Sequence, residues 1–306
     1  MFKSSKLFLL GFLSICLVTC NKSDQSNNNK ESILKGSATV LVDETLTPII
    51  EDQVAIFESK YDAKIKIVSQ SEAELIVSLF KKNAGIAILT RNLTVKENKI
   101  FEQKKITPKI TKFAIDAIAF ISNKSNKDTL IELKSVIEYM KGIRSSKIKG
   151  LVFDNPNSST VRYMNQLAGI SVFPENGVYS FKTNQEVIKF VAENDGMIGV
   201  VGVNWLTQPL PIMQEYVDKV NVLSVKSTRS TNYYSPTQNN IAENKYPLAR
   251  DLYIINAQGY SGLGMGFASF VAGDIGQRII LKSGLLPVRV PSRKISIRNE
   301  ISNEKK

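Results

Sequence analysis

The chain has no histidine. Three-histidine zinc centres, Ser-His-Asp triads and Cys-His pairs are therefore excluded by composition, and with them a large share of common hydrolase chemistry. Cysteine is almost as scarce, with only Cys16 and Cys20 in 306 residues. Both lie at the extreme N-terminus, so no internal disulfide can hold the folded region. Long apolar runs are missing too. The run from Leu7 to Val18 is about twelve residues, and a membrane-spanning helix needs about twenty.

That short run has a purpose of its own. Lys3 and Lys6 precede it, and Leu17-Val18-Thr19-Cys20 ends it. A positive start, a short apolar centre and a small residue before cysteine resemble a bacterial lipoprotein signal peptide. The expected reading is a signal over 1–19, cleavage before Cys20, and lipidation of Cys20. An ordinary secretory signal with a chance cysteine is the alternative. Residues 20–33 are polar and lack apolar periodicity, which suits a lipidated tether. The net charge of +12 falls when Lys3 and Lys6 leave, but the chain stays basic. Anionic partners are favoured, and outside the cytoplasm nucleic acid is not among them. Residues 289–306 read as a basic, solvated C-terminal tail.

Between tether and tail, strands and helices alternate. Thr39–Val42, Ile65–Val68, Ile86–Leu89, Leu151–Phe153, Met197–Val201, Val220–Val225 and Leu252–Ile255 read as strands. Pro48–Tyr61, Thr129–Met140, Ser158–Leu167, Gly264–Val271 and Ile275–Ser283 read as helices. Ser71-x-x-Glu74, Thr94-x-x-Glu97 and Thr183-x-x-Glu186 have the form of capping boxes and open three more. Ile110–Ile121 is too long for one ordinary strand and is expected to run from one lobe into another. The alternation argues for α/β architecture with largely parallel sheets. Trp205 reads as core or edge packing, and Tyr233-Tyr234 as a surface loop.

Three strand-to-helix loops look alike: Asp43-Glu44-Thr45-Leu46-Thr47-Pro48, Ser69-Gln70-Ser71, and Asp154 to Thr160. Helix starts carry free N–H groups and partial positive charge, and Ser or Thr hydroxyls add donors. Each loop alone is equally well explained as a good N-cap. Asp43, Glu44 and Glu72 could be imagined as an acid/base set for a hydrolase, but acids gather at helix starts for dipole reasons alone.

The order of segments is more specific. Gly36–Val40, Gly85–Thr94, Phe113–Asn123, Ser158–Arg162, Gly196–Gly202, Tyr246–Tyr253 (YPLARDLY) and Gly276–Val288 resemble successive motifs of the phosphate-binding lipoproteins of ABC transporters. These belong to the type II periplasmic-binding-protein superfamily. The resemblance spans nearly all of the mature domain. It implies an α/β, two-lobed type II fold with two crossings between lobes. Lobe 1 would hold 34–114 and 226–288, and lobe 2 would hold 115–225. It implies an extracytoplasmic, lipid-anchored monomer that captures phosphate or a similar oxyanion for an ABC permease, with no catalysis, cofactor or metal. A surface or sensor lipoprotein that kept the fold without phosphate binding is the alternative, and a hydrolase on a related fold comes behind it.

Carried over residue by residue, the resemblance implies ligand contacts from Thr45, Leu46, Ser71, Ser158, Ser159 and Thr160. Ser159 stands where the family has glycine. Asp154 stands where well-studied members have arginine, four residues before the Ser158 trio, and Thr90-Arg91 replaces an aspartate. Arg91 or Arg162 is therefore expected to supply the missing positive charge. Asp154 itself reads as a turn residue or a partner of Arg162. The anchor is directly testable: Cys20→Ser should abolish acyl labelling and release the protein from membranes, and unchanged labelling would refute the lipid attachment.

Overall fold

The computed structural model describes residues 31–81 and 85–291. The expected signal peptide, Cys20, most of the tether and most of the tail lie outside them. Among the described residues, no helix is long and apolar enough to cross a membrane.

The chain begins with β1 (Lys35–Asp43), α1 (Thr47–Lys60), β2 (Asp62–Gln70), α2 (Glu72–Lys81), β3 (Ile86–Leu89) and α3 (Val95–Gln103). β1 pairs in parallel with β2 and β3. Both faces of this sheet are covered, so β3 is buried at every residue and reads as an unbroken apolar run. Val40, Val42 and Ile88 face α1, and Leu41, Ala87 and Leu89 face α2 and α3. The capping box at Thr94 forms fully, with Thr94 accepting from Glu97 N–H and Glu97 reaching back. At Ser71 only half forms: Glu74 accepts from both the Ser71 N–H and its hydroxyl.

β4 (Lys109–Asn123) runs 15 residues and joins two sheets. Its first part pairs with β12 (Ala249–Asn256) and β13 (Leu286–Pro287), and its second with β8 (Met197–Gly202) and β9 (Val220–Val222). The second lobe adds β5 (Leu130–Glu132), α4 (Leu133–Met140), β6 (Gly150–Phe153), α5 (Ser159–Ala168), β7 (Val178–Ser180) and α6 (Asn184–Glu193). β6 pairs in parallel with β7 and β8. α5 ends at Gly169, whose φ of 67° suits glycine in a left-handed cap. After β8 come two single-turn helices, α7 (Asn204–Thr207) and α8 (Gln214–Val217).

The sheets are mixed rather than largely parallel. β4 and β12 carry the chain between lobes in opposite directions and pair antiparallel. Two elements also differ from expectation. Residues 129–132 add a short strand before the helix, and 220–225 form two strands rather than one. β9 lies on β4, whereas β10 (Ser224–Lys226) lies on β5. Buried Leu223 marks the change of sheet. β11 (Tyr233–Tyr234), expected as a loop, still pairs with β10. β5, β10 and β11 thus form a small sheet of their own. The chain then passes through α9 (Gln238–Ala242) into β12, followed by α10 (Leu263–Ala272) and α11 (Asp274–Lys282). Glu31, placed in the tether by sequence, accepts from Leu263 N–H at 2.7 Å at the start of α10.

Candidate functional site

The carboxyl ends of the parallel strands in the two lobes face each other, the usual place for a ligand in an open α/β sheet. Thr45 follows β1 and Ser159 opens α5. Their hydroxyls meet across the lobes at 3.2 Å, and both are buried. A second bridge joins Ala73 N–H to Asn157 O at 3.3 Å. The loops singled out in the sequence are thus brought together, and the junction is closed.

At its centre lies a residue not among the contacts expected from the sequence. Arg250 on β12 is 4% exposed. Its guanidinium donates twice to Asp116 Oδ2, at 3.0 and 2.9 Å, then to Ser159 Oγ at 3.1 Å and Thr45 Oγ1 at 3.3 Å. Arg250 and Asp116 are opposite each other in register on β12 and β4. The signal was present in the alternation. Arg250, Leu252 and Ile254 are the buried positions of an alternating strand, and Asp116 is the one charge in the buried stretch of β4. One charge of each sign at an inward position of neighbouring strands calls for a pair.

Arg91 and Arg162, expected to offset Asp154, are engaged elsewhere. Arg91 donates to Glu72 Oε1 at 2.7 Å and doubly to Glu97 at 2.8 Å. Arg162 Nε lies 2.7 Å from the same Glu72 oxygen without hydrogen-bond alignment. The clamp spans the lobes, because Glu72 and Arg91 belong to the first and Arg162 to the second. With Asn157 and Gln166 it lines a cleft of about 590 Å³ outside the buried junction.

Asp154 does not pair with Arg162. It is fully buried and accepts from Ser158 Oγ at 2.5 Å and Asn184 Nδ2 at 3.1 Å. Ser158 Oγ in turn accepts Val161 N–H and caps α5. Ser159 and Thr160 are the first two residues of α5, so their N–H groups have no helix carbonyl to bond. Thr160 Oγ1 is buried with no partner. Leu46 packs into the core through its side chain. Ser71 is buried with its hydroxyl turned to Glu74. Trp205 is packed, as expected, and also donates its indole N–H to Thr45 O at 3.0 Å. Asn204 donates to the same oxygen at 3.1 Å.

Acids outnumber the deep cation. Burial raises Asp43 and Asp116 above the usual aspartate value, against the pull of Arg250. Burial pushes Asp154 up to about 7, against the hydrogen bond from Ser158. Burial, then the charges of Asp154 and Asp43, push Glu44 up to about 8. Glu44 is therefore mostly protonated at neutral pH and Asp154 divided between its two forms, which limits the repulsion an arriving anion meets.

The matched family model is that of a PBP superfamily domain and covers residues 27–274. The chain belongs to the PBP superfamily. It is similar to a phosphate-binding protein PstS of Borreliella burgdorferi, at 27% identity, over 93% of this chain and 99% of that one. Among solved structures it is similar to a phosphate ABC transporter substrate-binding protein from Clostridium perfringens with bound phosphate. That match has a TM-score of 0.70 and 19% identity, covering 83% of this chain and all of the other. An ABC-type phosphate transport receptor from Vibrio cholerae matches at TM-score 0.62 and 17% identity, covering 82% of this chain and 100% of that one. These likenesses agree with the two-lobed α/β fold and its crossing strands.

The raised carboxyls predict how stability responds to pH. A carboxyl whose folded value is raised stabilises the fold below its unfolded value and loses that contribution as pH rises through the folded one. For Glu44 the interval runs from 4.5 to about 8. The melting temperature of the ligand-free protein should fall across it, and Glu44→Gln should flatten the fall. A rise over that interval, or an unaltered slope in the variant, would contradict the assignment.

Proposed function

We propose that this protein is an extracytoplasmic solute-binding lipoprotein that captures phosphate, or a similar tetrahedral oxyanion, between its lobes and delivers it to an ABC permease. The observation that carries this reading is the buried junction. Thr160 Oγ1, next to Ser159 at the start of α5, is buried without a partner, and Arg250 bridges hydroxyls from both lobes. A closed, water-poor site with free donors and one fixed guanidinium suits a small anion.

In this reading the α5 start supplies the Ser159 and Thr160 N–H groups and the Thr160 hydroxyl. Thr45, Leu46 and Ser71 face them from the first lobe, and Arg250 supplies the positive charge. Arg91 and Arg162 act at the cleft mouth, where their shared hold on Glu72 joins the lobes. Opening would separate Arg162 from Glu72 and Thr45 from Ser159, a hinge movement about the two lobe crossings. The names of the relatives support both the ligand and the permease. Capture and release make and break no covalent bond, so no enzymatic step is assigned. Lipidation at Cys20 would hold the monomer at the membrane, facing the periplasm or the outside.

Titration calorimetry of the protein with phosphate, arsenate, sulfate and molybdate tests the reading. Phosphate or a close analogue should bind at one site per chain. A hydrogen bond to a charged ligand contributes about 1.5–3 kcal/mol, so Thr160→Ala should weaken binding about ten- to a hundredfold. Ser158 remains to cap α5 in that variant, so folding should survive. Equal affinity in parent and variant would remove Thr160 from the site. Failure of all four anions to bind would favour the surface or sensor role.

A further inference from the structure

Three hydroxyls close to the helix starts are each tied to a carboxylate. Thr45 Oγ1 donates to Asp43 Oδ1 at 2.9 Å, Ser71 Oγ to Glu74 Oε2 at 2.8 Å, and Ser158 Oγ to Asp154 Oδ1 at 2.5 Å. A hydroxyl has one proton to give. One that gives it to a carboxylate offers only lone pairs to the site, and lone pairs repel an oxyanion.

The three pairs differ in how that proton can be freed. Glu74 is exposed, so water can replace the Ser71 hydroxyl as its donor. Asp43 also accepts Thr45 N–H at 3.1 Å and lies in the field of Arg250. Asp154 is sealed from water. Beyond Ser158, its hydrogen-bond partner is Asn184 of α6, on the other carboxylate oxygen. The charged groups acting on it are Asp43 at the end of β1, Glu44 just after it, and Arg250 on β12. Arg250 is itself held by Asp116 on β4, and Glu72 at the start of α2 acts on Asp43. Acids thus face Asp154 from the first lobe, and the one deep cation is already shared.

Ser158 has the right valences for an exchange. Its oxygen accepts Val161 N–H through one lone pair. If Asp154 carries a proton, its carboxyl O–H can donate to the second lone pair. The Ser158 hydroxyl proton is then free to turn toward a ligand. Building on the oxyanion reading above, we infer that capture is coupled to protonation of Asp154, which switches the Ser158 hydroxyl from carboxylate to ligand. One proton moves to an Asp154 oxygen, either from the medium or from an acidic hydroxyl of the ligand itself. No covalent bond to the ligand forms or breaks. Asp154 is then a positioning residue that sets which protonation states of the site accept an anion. With burial holding Asp154 up at about 7, the exchange falls near neutral pH. An arginine at this place, as in the well-studied relatives, would carry no such dependence.

The test uses the full chain, inorganic phosphate and the fluorescence of Trp205. This is the chain's single tryptophan, and its indole N–H bonds Thr45 O. Phosphate affinity is measured below and above pH 7 for the parent and for Asp154→Asn. The asparagine amide can donate to Ser158 Oγ at every pH and so mimics the protonated acid. Phosphate's own titration is common to both proteins and cancels in the ratio of their dissociation constants. That ratio should be near one below pH 7 and climb about tenfold per pH unit above it, as one linked proton requires. A ratio constant across the range would overturn the inference and leave the phosphate reading intact. Absence of binding by both proteins at every pH would overturn the phosphate reading, and the inference with it. Should the variant fail to fold, infrared difference spectra of the parent decide. Adding phosphate above pH 7 should produce a protonated-carboxyl band, and its absence would overturn the coupling.

Discussion

The closed junction depends on one guanidinium placed where four chain segments meet. Arg250 is held by Asp116 on the neighbouring strand and reaches Thr45 after β1 and Ser159 at the start of α5. Lysine would not serve in the same way. A planar fork with five donors can satisfy a carboxylate on one edge and two hydroxyls on the other, whereas an ammonium is a point charge on a flexible stem. Burying the pair costs solvation, and breaking such a pair by removing one partner typically costs about 3–5 kcal/mol. The long crossing strand β4 brings Asp116 to the boundary between the sheets, so the architecture and the electrostatics share one origin.

Around that cation the balance is tilted toward acid. Asp43, Asp154 and Glu72 are buried, and Glu44 is partly so. A site of this composition would reject anions if every carboxyl were ionised. Burial raises Asp154 to about 7 and Glu44 to about 8, so both hold a proton for part of the time near neutral pH. Glu72 is gripped by Arg91 and lies against Arg162. The surplus charge is thus removed by protonation within the junction and by ion pairing at its mouth. The same clamp joins the lobes, because Glu72 and Arg91 belong to the first and Arg162 to the second.

Much of this was legible in the chain because the information was local. The Thr94 and Thr183 capping boxes form as their spacing requires. The unbroken apolar run at Ile86–Leu89 is a strand buried on both faces, and the overlong pattern at 110–121 is the strand that joins two sheets. What was not legible depends on partners far away. Val220–Val225 has the pattern of one strand, yet it pairs with β4 and then with β5. Leu130–Glu132 becomes a strand only because β10 lies beside it. Arg91 and Arg162 lie in the motifs of the resemblance and are the cations those motifs offer against Asp154. Their capture by Glu72 follows from the way α2 and α5 abut. Arg250 lies within the Tyr246–Tyr253 motif but outside the strand legible at Leu252–Ile255. Its inward position, matched by that of Asp116, was the available clue.

The central claim is that an oxyanion binds at the junction of Thr160, Ser159, Thr45 and Arg250. A crystal structure grown with phosphate tests it most directly. The account predicts one anion within hydrogen-bond distance of Thr160 Oγ1, the α5 N–H groups and the Arg250 guanidinium, with the lobes closed over it. An anion held only by Arg91 and Arg162 in the outer cleft, with Arg250 still bridging Thr45 and Ser159, would contradict it.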